Sequence, residues 1–301
     1  MFINETHSTS TLLRQQYSDE LPHLYAIRTD FQTAGRGQTG NGWESEKGKN
    51  LLVSVLLKYP EIAASEQWRL SMLVAVTLYE AIAQFVPEQM LTIKWPNDIY
   101  VGSRKICGIL IENSLRGNRL SSSIIGIGLN INQRNFDINL PNPTSMVLCR
   151  PDLNCHSVSP ECNSDFSQYH SDSSQCHSER SDESFDIRTC LEEFMDIFTS
   201  YYNRYLAAEG DISSLRQQYL EHLWRLDIPA EYLDYTSLPS GHLDAPVNIC
   251  TDFDGTDDTQ NKPRCFHGII RGLSDIGNLM VKDLTTGQLR EFGFKEIGYI
   301  L

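Results

Sequence analysis

The segment from Asp30 to Asn50 constrains the chain most, because it holds too many glycines for a helix or a long strand. It reads DFQTAGRGQTGNGWESEKGKN in one-letter code and surrounds Arg36 with glycines: Gly35, Gly37, Gly40 and Gly42. Glycine lets a backbone take positive φ and approach a ligand closely, and arginine carries a permanent charge. The segment therefore predicts a loop that cradles an anion.

Two known phosphate-binding motifs match this segment only in part. Residues 35–40 have the spacing G-x-G-x-x-G of dinucleotide-binding proteins, but residues 41–49 show no helical apolar period and offer no helix N-terminus. Gly48-Lys49-Asn50 resembles the end of a Walker loop, but the glycine spacing is one residue too long and Asn50 replaces the hydroxyl residue. We expect neither a Rossmann motif nor a P-loop.

Length, charge and composition limit the class of protein. A chain of 301 residues with 40% hydrophobic residues can fill one large and one small domain. The N-terminus lacks a secretory signal and no apolar run reaches membrane-spanning length, which predicts a cytoplasmic protein without a membrane partner and with eight reduced cysteines. A formal charge of -14 repels phosphate backbones, so we expect no nucleic-acid partner.

Apolar patterns predict a first domain over residues 1–227 that mixes strands and helices. Strands are expected at residues 24–29, 51–57, 91–95, 105–113 and 123–132, and helices at residues 11–17, 65–86, 187–206 and 213–224. Glycines inside the predicted strands, Gly108, Gly126 and Gly128, cost stability unless something must approach the backbone closely.

Residues 228–301 differ in kind, with short alternating strands at 268–273, 279–284 and 289–294 that predict a small β-barrel. Two polar inserts interrupt the chain, at about 151–185 and 236–265. The first is expected to be a disordered loop, because its cysteines and histidines lack zinc-ligand spacing. In the second, Asp252-Phe253-Asp254-Gly255 fails as a calcium loop because its glycine comes too early.

A second candidate site combines Lys94-Trp95-Pro96-Asn97-Asp98 with Lys105. A carboxylate at the end of one strand and a lysine entering the next can face one site, where they would hold a metal and a phosphate. Taken singly, each is more typical of a turn aspartate or a surface lysine. Ser8 and Thr9, taken singly, are more typical of a helix N-cap.

Four segments in order, GRGQTGNGW, KWPND, RKICGILIE and GIGLNIN, closely resemble the biotin-protein ligase family. The resemblance covers residues from about 7 to 148 and, more weakly, the C-terminal region. It implies an α/β (α+β) catalytic domain like that of class II synthetases, with a mixed sheet and helices, followed by an SH3-like β-barrel. It also implies a monofunctional ligase that lacks an N-terminal DNA-binding domain.

The resemblance implies a reaction in two steps. ATP, Mg²⁺ and biotin form biotinyl-5'-AMP, and a lysine on the biotin carboxyl carrier domain of a carboxylase or decarboxylase then takes the biotin. The resemblance leaves open whether the protein forms a homodimer. The alternatives are acyl transfer like that of lipoate-protein ligases, or a non-catalytic regulator that binds an adenylate.

The resemblance also assigns roles to residues. Lys105, Arg36 and Asp98 are implied to be catalytic, with Asp98 holding Mg²⁺ or positioning the acceptor amine. Residues implied to bind biotin are Ser8, Thr9, Gln32, Gly35, Arg36, Trp43, Lys105, Gly108, Gly126 and Gly128. Residues implied to bind the nucleotide are Arg36, Gly37, Gln38, Asn97, Lys105 and Asn130, with Phe136 as a candidate to stack on adenine. Many relatives have arginine where Gln38 stands, so weaker adenylate retention is expected.

Overall fold

The structure, a computed structural model, describes residues 1–38, 41–58, 62–150, 184–207, 211–236 and 263–300. Gly40 and nearly all of the two polar inserts lie outside the described residues. The same holds for the zinc and calcium motifs that the sequence raised.

The larger domain is built on a seven-stranded sheet. Its strands are β1 (Phe2–Ile3), β2 (Tyr25–Thr29), β3 (Leu51–Lys58), β4 (Leu91–Lys94), β5 (Asp98–Val101), β6 (Arg104–Arg116) and β7 (Arg119–Leu129). They follow the order β1-β2-β3-β7-β6-β5-β4. The β1–β2 pair is parallel and all other neighbours are antiparallel, so the sheet is mixed, as predicted.

Four α-helices accompany this sheet: α1 (Thr9–Gln16), α2 (Trp68–Ala83), α3 (Ile187–Tyr202) and α4 (Ile212–Glu221). Every residue of β3 is buried, as the continuous apolar run predicts, and α2 is buried along most of its length. The core lies between one face of the sheet and α2, α3 and α4. The opposite face, near β6 and β7, is left to α1 and the glycine-rich segment. No α-helix in the described ranges is long and apolar enough to span a membrane.

Two short strands of this sheet, β1 and β5, were not predicted, and β5 carries a candidate site residue. Asp98 was expected in a turn, but it opens β5 and pairs with Lys94 on β4 and Gly108 on β6. The turn is therefore confined to residues 95–97. Helix α1 also begins two residues earlier than predicted, because Ser8 is its N-cap and the Ser8 hydroxyl accepts from the Thr11 N–H at 3.5 Å.

The smaller domain is an antiparallel sheet of five strands: β8 (Pro229–Asp234), β9 (Arg264–Leu273), β10 (Leu279–Asp283), β11 (Leu289–Phe292) and β12 (Ile297–Tyr299). Their order is β11-β10-β9-β8-β12. Within the described ranges β11 and β12 stay at opposite edges, so the sheet is open where a closed barrel was expected. The boundary placed at 227/228 falls between α4 and β8.

The smaller domain packs against the turn between β4 and β5. The Trp95 Nε1–H donates to the Gly277 carbonyl at 3.1 Å, and the Tyr299 hydroxyl donates to the Trp95 carbonyl at 3.3 Å. Gly277 has φ +81°, and a Cβ there would lie 2.6 Å from Trp68 Cβ, so this contact requires glycine. The second domain is thereby fixed beside the candidate site.

Candidate functional site

Residues 35–38 and 41–43 of the glycine-rich segment pair in antiparallel fashion and are called the hairpin below. Trp43 N–H donates to the Gly35 carbonyl at 3.0 Å, and Gly37 N–H donates to the Asn41 carbonyl at 2.9 Å. Gly35, Gly37 and Gly42 do not have positive φ, so that expectation was wrong for these three. Close approach is the reason for glycine at position 35, because a Cβ there would overlap the Trp43 carbonyl oxygen.

The hairpin separates two cavities, and Arg36, Gly37, Gln38 and Asn41 line both of them. The smaller cavity, of about 120 Å³, lies between the hairpin, α1 and the sheet. The larger cavity, of about 980 Å³, lies between the sheet, α2 and the C-terminal domain. The same loop can therefore contact ligand groups on both of its sides.

The floor of the smaller cavity is the face of β6 and β7 that carries Gly108, Gly126 and Gly128. The Trp43 indole lies against two of these glycines, because a Cβ at Gly108 or Gly128 would overlap its ring. At Gly126 an added Cβ would lie 2.6 Å from the Ser10 hydroxyl oxygen. The glycines thus make room for Trp43 and Ser10, and Trp43 Nε1 is buried there without a hydrogen-bond partner.

Hydroxyl groups form a buried network at one end of this cavity. The Ser54 hydroxyl on β3 lies 2.8 Å from the Thr9 hydroxyl and 2.9 Å from the Ser10 hydroxyl. The Gln32 side-chain oxygen accepts from the Thr9 backbone N–H at 2.8 Å. Ser8, besides capping α1, also lines the cavity. Ser10 and Ser54 were not singled out from the sequence, although a lone hydroxyl within LLVSVLL is a usable signal.

Positive charge reaches the smaller cavity from two directions. Lys105 Nζ lies 2.9 Å from Asp98 Oδ1 and 5.6 Å from the centre of the Trp43 ring. Arg36 comes from the hairpin, and Arg36, Lys105 and Asp98 all line this cavity. A carboxylate or phosphate placed there would meet two cations held by different elements.

Arg36 is already paired in this structure, with a carboxylate that the sequence reasoning missed. The Arg36 guanidinium donates to Glu112 on β6, with an Nη2–Oε1 distance of 2.7 Å, and to the Thr11 hydroxyl at 3.3 Å. Arg14 Nη2 lies 2.6 Å from the same Glu112 oxygen. Its position in the sequence was a usable signal. Residues 108, 110 and 112 alternate along β6, so Glu112 lies on the same face of the strand as Gly108 and Leu110, which line the site.

The residues implied to bind a nucleotide are not all brought together. The Gln38 amide donates to the Asn97 side-chain oxygen at 2.7 Å, and Asn97 in turn donates to the Ile109 carbonyl. Asn130 donates to the Thr144 carbonyl at 2.9 Å, and its buried side-chain oxygen has no hydrogen-bond partner. Asn130 and Phe136 line neither of the two cavities.

Lys94 lies on the other side of Asp98 from Lys105, among three aromatic rings. Its Nζ donates to the Tyr100 hydroxyl at 3.0 Å and lies 4.7 Å from the centre of the Tyr299 ring in the C-terminal domain. The third ring is Trp224, 5.6 Å away. Burial lowers the pKa of Lys94 to about 8, partly offset by the charge of Asp98.

The described residues offer no group of three or more His, Cys, Asp or Glu side chains that could hold a metal ion. Asp98, which was expected to hold Mg²⁺ or to position the acceptor amine, forms an ion pair with Lys105. Mg²⁺ commonly binds through one or two carboxylates together with substrate phosphates and water. These residues therefore fit Mg²⁺ that arrives on ATP phosphates and not a resident ion held by the protein.

Sequence comparisons show which known proteins this chain resembles. Residues 2–130 match the biotin/lipoate A/B protein ligase family. A bifunctional ligase/repressor BirA of Bacillus spizizenii is 35% identical over 130 residues, which are 43% of this chain and 39% of that protein. A biotin–[acetyl-CoA-carboxylase] ligase of Paracoccus denitrificans is 36% identical over 101 residues, 33% of this chain and 41% of that protein. The chain thus matches about two fifths of the length of these relatives.

Solved structures extend the likeness to the whole chain. A biotin protein ligase from Aquifex aeolicus in complex with biotin and ATP has a TM-score of 0.67 at 19% identity, with 99% of this chain and 97% of that chain covered. A biotin protein ligase from Leishmania major in complex with biotinyl-5-AMP has a TM-score of 0.54 at 18% identity, with 97% and 98% covered. The predicted class II synthetase-like fold is confirmed.

Proposed function

We propose, from the match of residues 2–130 to the biotin/lipoate A/B protein ligase family, that the protein uses ATP to attach biotin to a lysine of a carrier protein. One observation carries the proposal: a buried hydroxyl network and two cations, Lys105 and Arg36, share a single small cavity. That cavity can recognise a polar ring at one end and an acid group at the other.

The hydroxyl network suits the ureido group of biotin, which has two N–H donors and one carbonyl acceptor. Thr9, Ser10 and Ser54 have rotatable hydroxyls that both donate and accept, and Gln32 is held beside them by the Thr9 N–H. The dithiolane ring of lipoate has no N–H or carbonyl group, so it would bury these polar groups without using their remaining hydrogen-bonding capacity. The network therefore favours biotin as the substrate over lipoate.

Biotin needs more room than the smaller cavity offers. Ligand pockets usually measure about 300–1,000 Å³, whereas this cavity measures about 120 Å³. The Trp43 indole covers Gly108 and Gly128, so we infer that biotin displaces it from these glycines and that Trp43 then walls the valeryl chain. Gly126 and Gly35 allow the neighbouring side chains to stay close.

In the first step the biotin carboxylate attacks the α-phosphate of ATP, the bond to pyrophosphate breaks, and biotinyl-5'-AMP forms. The two anionic reactants repel until fixed cations compensate their charge. Lys105, kept in place by Asp98, would contact the α-phosphate, and Arg36 would hold the adenylate beneath the hairpin. Mg²⁺ would enter with ATP and neutralise its phosphate oxygens.

In the second step a neutral lysine amine of the acceptor attacks the acyl carbon, AMP leaves, and an amide forms. Among the described residues that line the smaller cavity, Asp98 is the carboxylate, so we assign it to fix Lys105 and to orient this amine. We place the nucleotide toward the larger cavity, where Gly37, Gln38 and Asn97 line the wall. The roles of Asn130 and Phe136 remain predictions from the resemblance.

The proposed acceptor is the biotin carboxyl carrier domain of a carboxylase or a decarboxylase. A cytoplasmic location stays a prediction from the sequence, and the resemblance leaves open whether the protein is a homodimer.

Incubation with biotin, MgATP and a purified carrier domain tests the proposal. We expect a mass increase of one biotinyl group on one carrier lysine, together with release of pyrophosphate. Lipoate supplied in parallel should give no product, because its dithiolane ring offers the hydroxyl network no polar partner. Transfer of lipoate and not biotin would move the chain to the other branch of the family. Binding of biotinyl-5'-AMP without transfer would support the non-catalytic regulator.

A further inference from the structure

Glu112 stands between two arginines at the edge of the larger cavity. Its Oε1 atom lies 2.7 Å from Arg36 Nη2 and 2.6 Å from Arg14 Nη2, and its side chain is only 16% exposed. One carboxylate therefore satisfies two cations that come from different elements, the hairpin and helix α1. No role proposed above uses Glu112 or Arg14.

The pairing occupies one of the two edges through which Arg36 can bind an anion with two N–H groups. A guanidinium has five N–H groups, and Arg36 directs three of them to protein atoms: two to Glu112 and one to the Thr11 hydroxyl. The two-pronged edge that suits phosphate oxygens already binds the Glu112 carboxylate. A phosphate that takes this edge must displace Glu112.

Arg14 provides the means for that exchange. It projects from α1 and is about half exposed, so its side chain is free to follow the carboxylate. Because Arg14 already contacts the Glu112 oxygen that Arg36 uses, Glu112 keeps a counter-ion when Arg36 leaves. Ion pairs of such exposure contribute only about 0.2–1 kcal/mol, so the exchange carries a small cost.

We propose that Glu112 occupies the phosphate-binding edge of Arg36 in the ligand-free protein and sets the affinity for anionic ligands, while Arg14 retains Glu112 once Arg36 moves to the phosphate. The proposal rests on the proposed function, because it takes the phosphate of an adenylate as the displacing anion. Glu112 and Arg14 are then positioning residues that act through Arg36.

Two ligands separate this effect from general damage to the site. One is a stable phosphodiester analogue of biotinyl-5'-AMP, and the other is a matched analogue in which an uncharged linker replaces the phosphate. Affinities are measured by calorimetry on the full chain. Glu112→Gln keeps the size of the side chain but removes the competing charge, so it should bind the phosphodiester analogue about fivefold more tightly and the uncharged analogue with unchanged affinity.

Arg14→Ala should act in the opposite direction. With its second counter-ion removed, Glu112 depends on Arg36 alone, and binding of the phosphodiester analogue should weaken about threefold. In the Glu112→Gln background the same Arg14→Ala change should have no effect, because there is no carboxylate left to retain. A non-additive pair of this kind is the signature of a shared partner.

Weaker binding of the phosphodiester analogue by Glu112→Gln would overturn the proposal and make Glu112 a support that orients Arg36. Equal changes for both analogues would also overturn it, since the phosphate would then be irrelevant. If the wild-type chain bound neither analogue, the proposed function itself would fail. The two failures are therefore distinguishable in one experiment.

Discussion

The two cavities share one wall, the glycine hairpin, but the rest of each is made in a different way. The smaller cavity is lined by glycines, hydroxyls and charged groups that come from α1, the hairpin and neighbouring strands of one sheet. The larger cavity adds apolar side chains from two domains: Trp68 and Met72 on α2, and Ile276 and Phe294 in the C-terminal region. We therefore assign the proposed chemistry to the smaller cavity and the binding of the nucleotide to the larger one.

Lys105→Ala is expected to have the largest effect and tests whether the chemistry takes place in the smaller cavity. If the smaller cavity performs the chemistry, loss of this cation should lower adenylate formation by roughly two to three orders of magnitude. Pyrophosphate release with biotin and ATP measures the rate. Lys282→Ala, which removes an exposed lysine from β10 in the other domain, is the matched control. An unchanged rate in Lys105→Ala would show that the smaller cavity is not where the adenylate forms.

The second prediction compares the two lysines on either side of Asp98. Lys94 has a pKa of about 8, against 10.5 for an ordinary lysine, because it is buried among aromatic rings at the domain junction. Between pH 8 and pH 10 the unfolded chain binds this proton and the folded chain releases it, so stability rises with pH. The difference in unfolding free energy between wild type and Lys94→Met should rise by about 2 kcal/mol over this range.

Urea unfolding of both proteins at several pH values measures that difference. Because the other titrating groups are the same in wild type and Lys94→Met, their contributions cancel in the difference. A difference that stays flat from pH 8 to pH 10 would show that Lys94 is hydrated and that the junction is looser than the contacts indicate.

The third prediction concerns the hydroxyl end of the smaller cavity alone. Ser54→Ala removes a shared partner of the Thr9 and Ser10 hydroxyls and leaves the Thr9 hydroxyl with the Gln32 side-chain oxygen at 3.2 Å. Because Ser54 orients the two hydroxyls that face the cavity, and one hydrogen bond contributes about 0.5–1.5 kcal/mol, biotin affinity should fall roughly tenfold. Calorimetry with biotin measures this. Ser121→Ala, at the far end of the β6–β7 hairpin, is the control and should bind biotin normally.

The smallest effect is expected at the wall of the larger cavity. Trp95→Phe keeps an aromatic ring but removes the hydrogen bond from Nε1 to the Gly277 carbonyl, which joins the two domains. One lost hydrogen bond should lower the unfolding free energy by about 1 kcal/mol. Urea denaturation measures it. A loss several times larger would show that the two domains depend on each other for folding more than their separate sheets suggest.

The two cavities also differ in how far the sequence predicted them. Lys105, Arg36 and Trp43 were singled out by motif, and all three line the smaller cavity. Ser54 and Glu112 were missed, because each lies within a strand pattern and acquires its partners from helix α1, distant in the chain. Of the larger cavity only the wall with Gly37, Gln38 and Asn97 was predicted. The rest was missed, since Trp68 and Gly277 meet only when the two domains pack.

What the sequence determined by itself was the order of the longer strands and helices and the resemblance to one family, because apolar periodicity and short motifs are local properties of the chain. Only the tertiary structure decided which charged side chains pair with each other. It paired Lys105 with Asp98 and set Glu112 against both Arg36 and Arg14. The physical reason is that ion pairs form between neighbours in space, and sheet register and domain packing choose those neighbours.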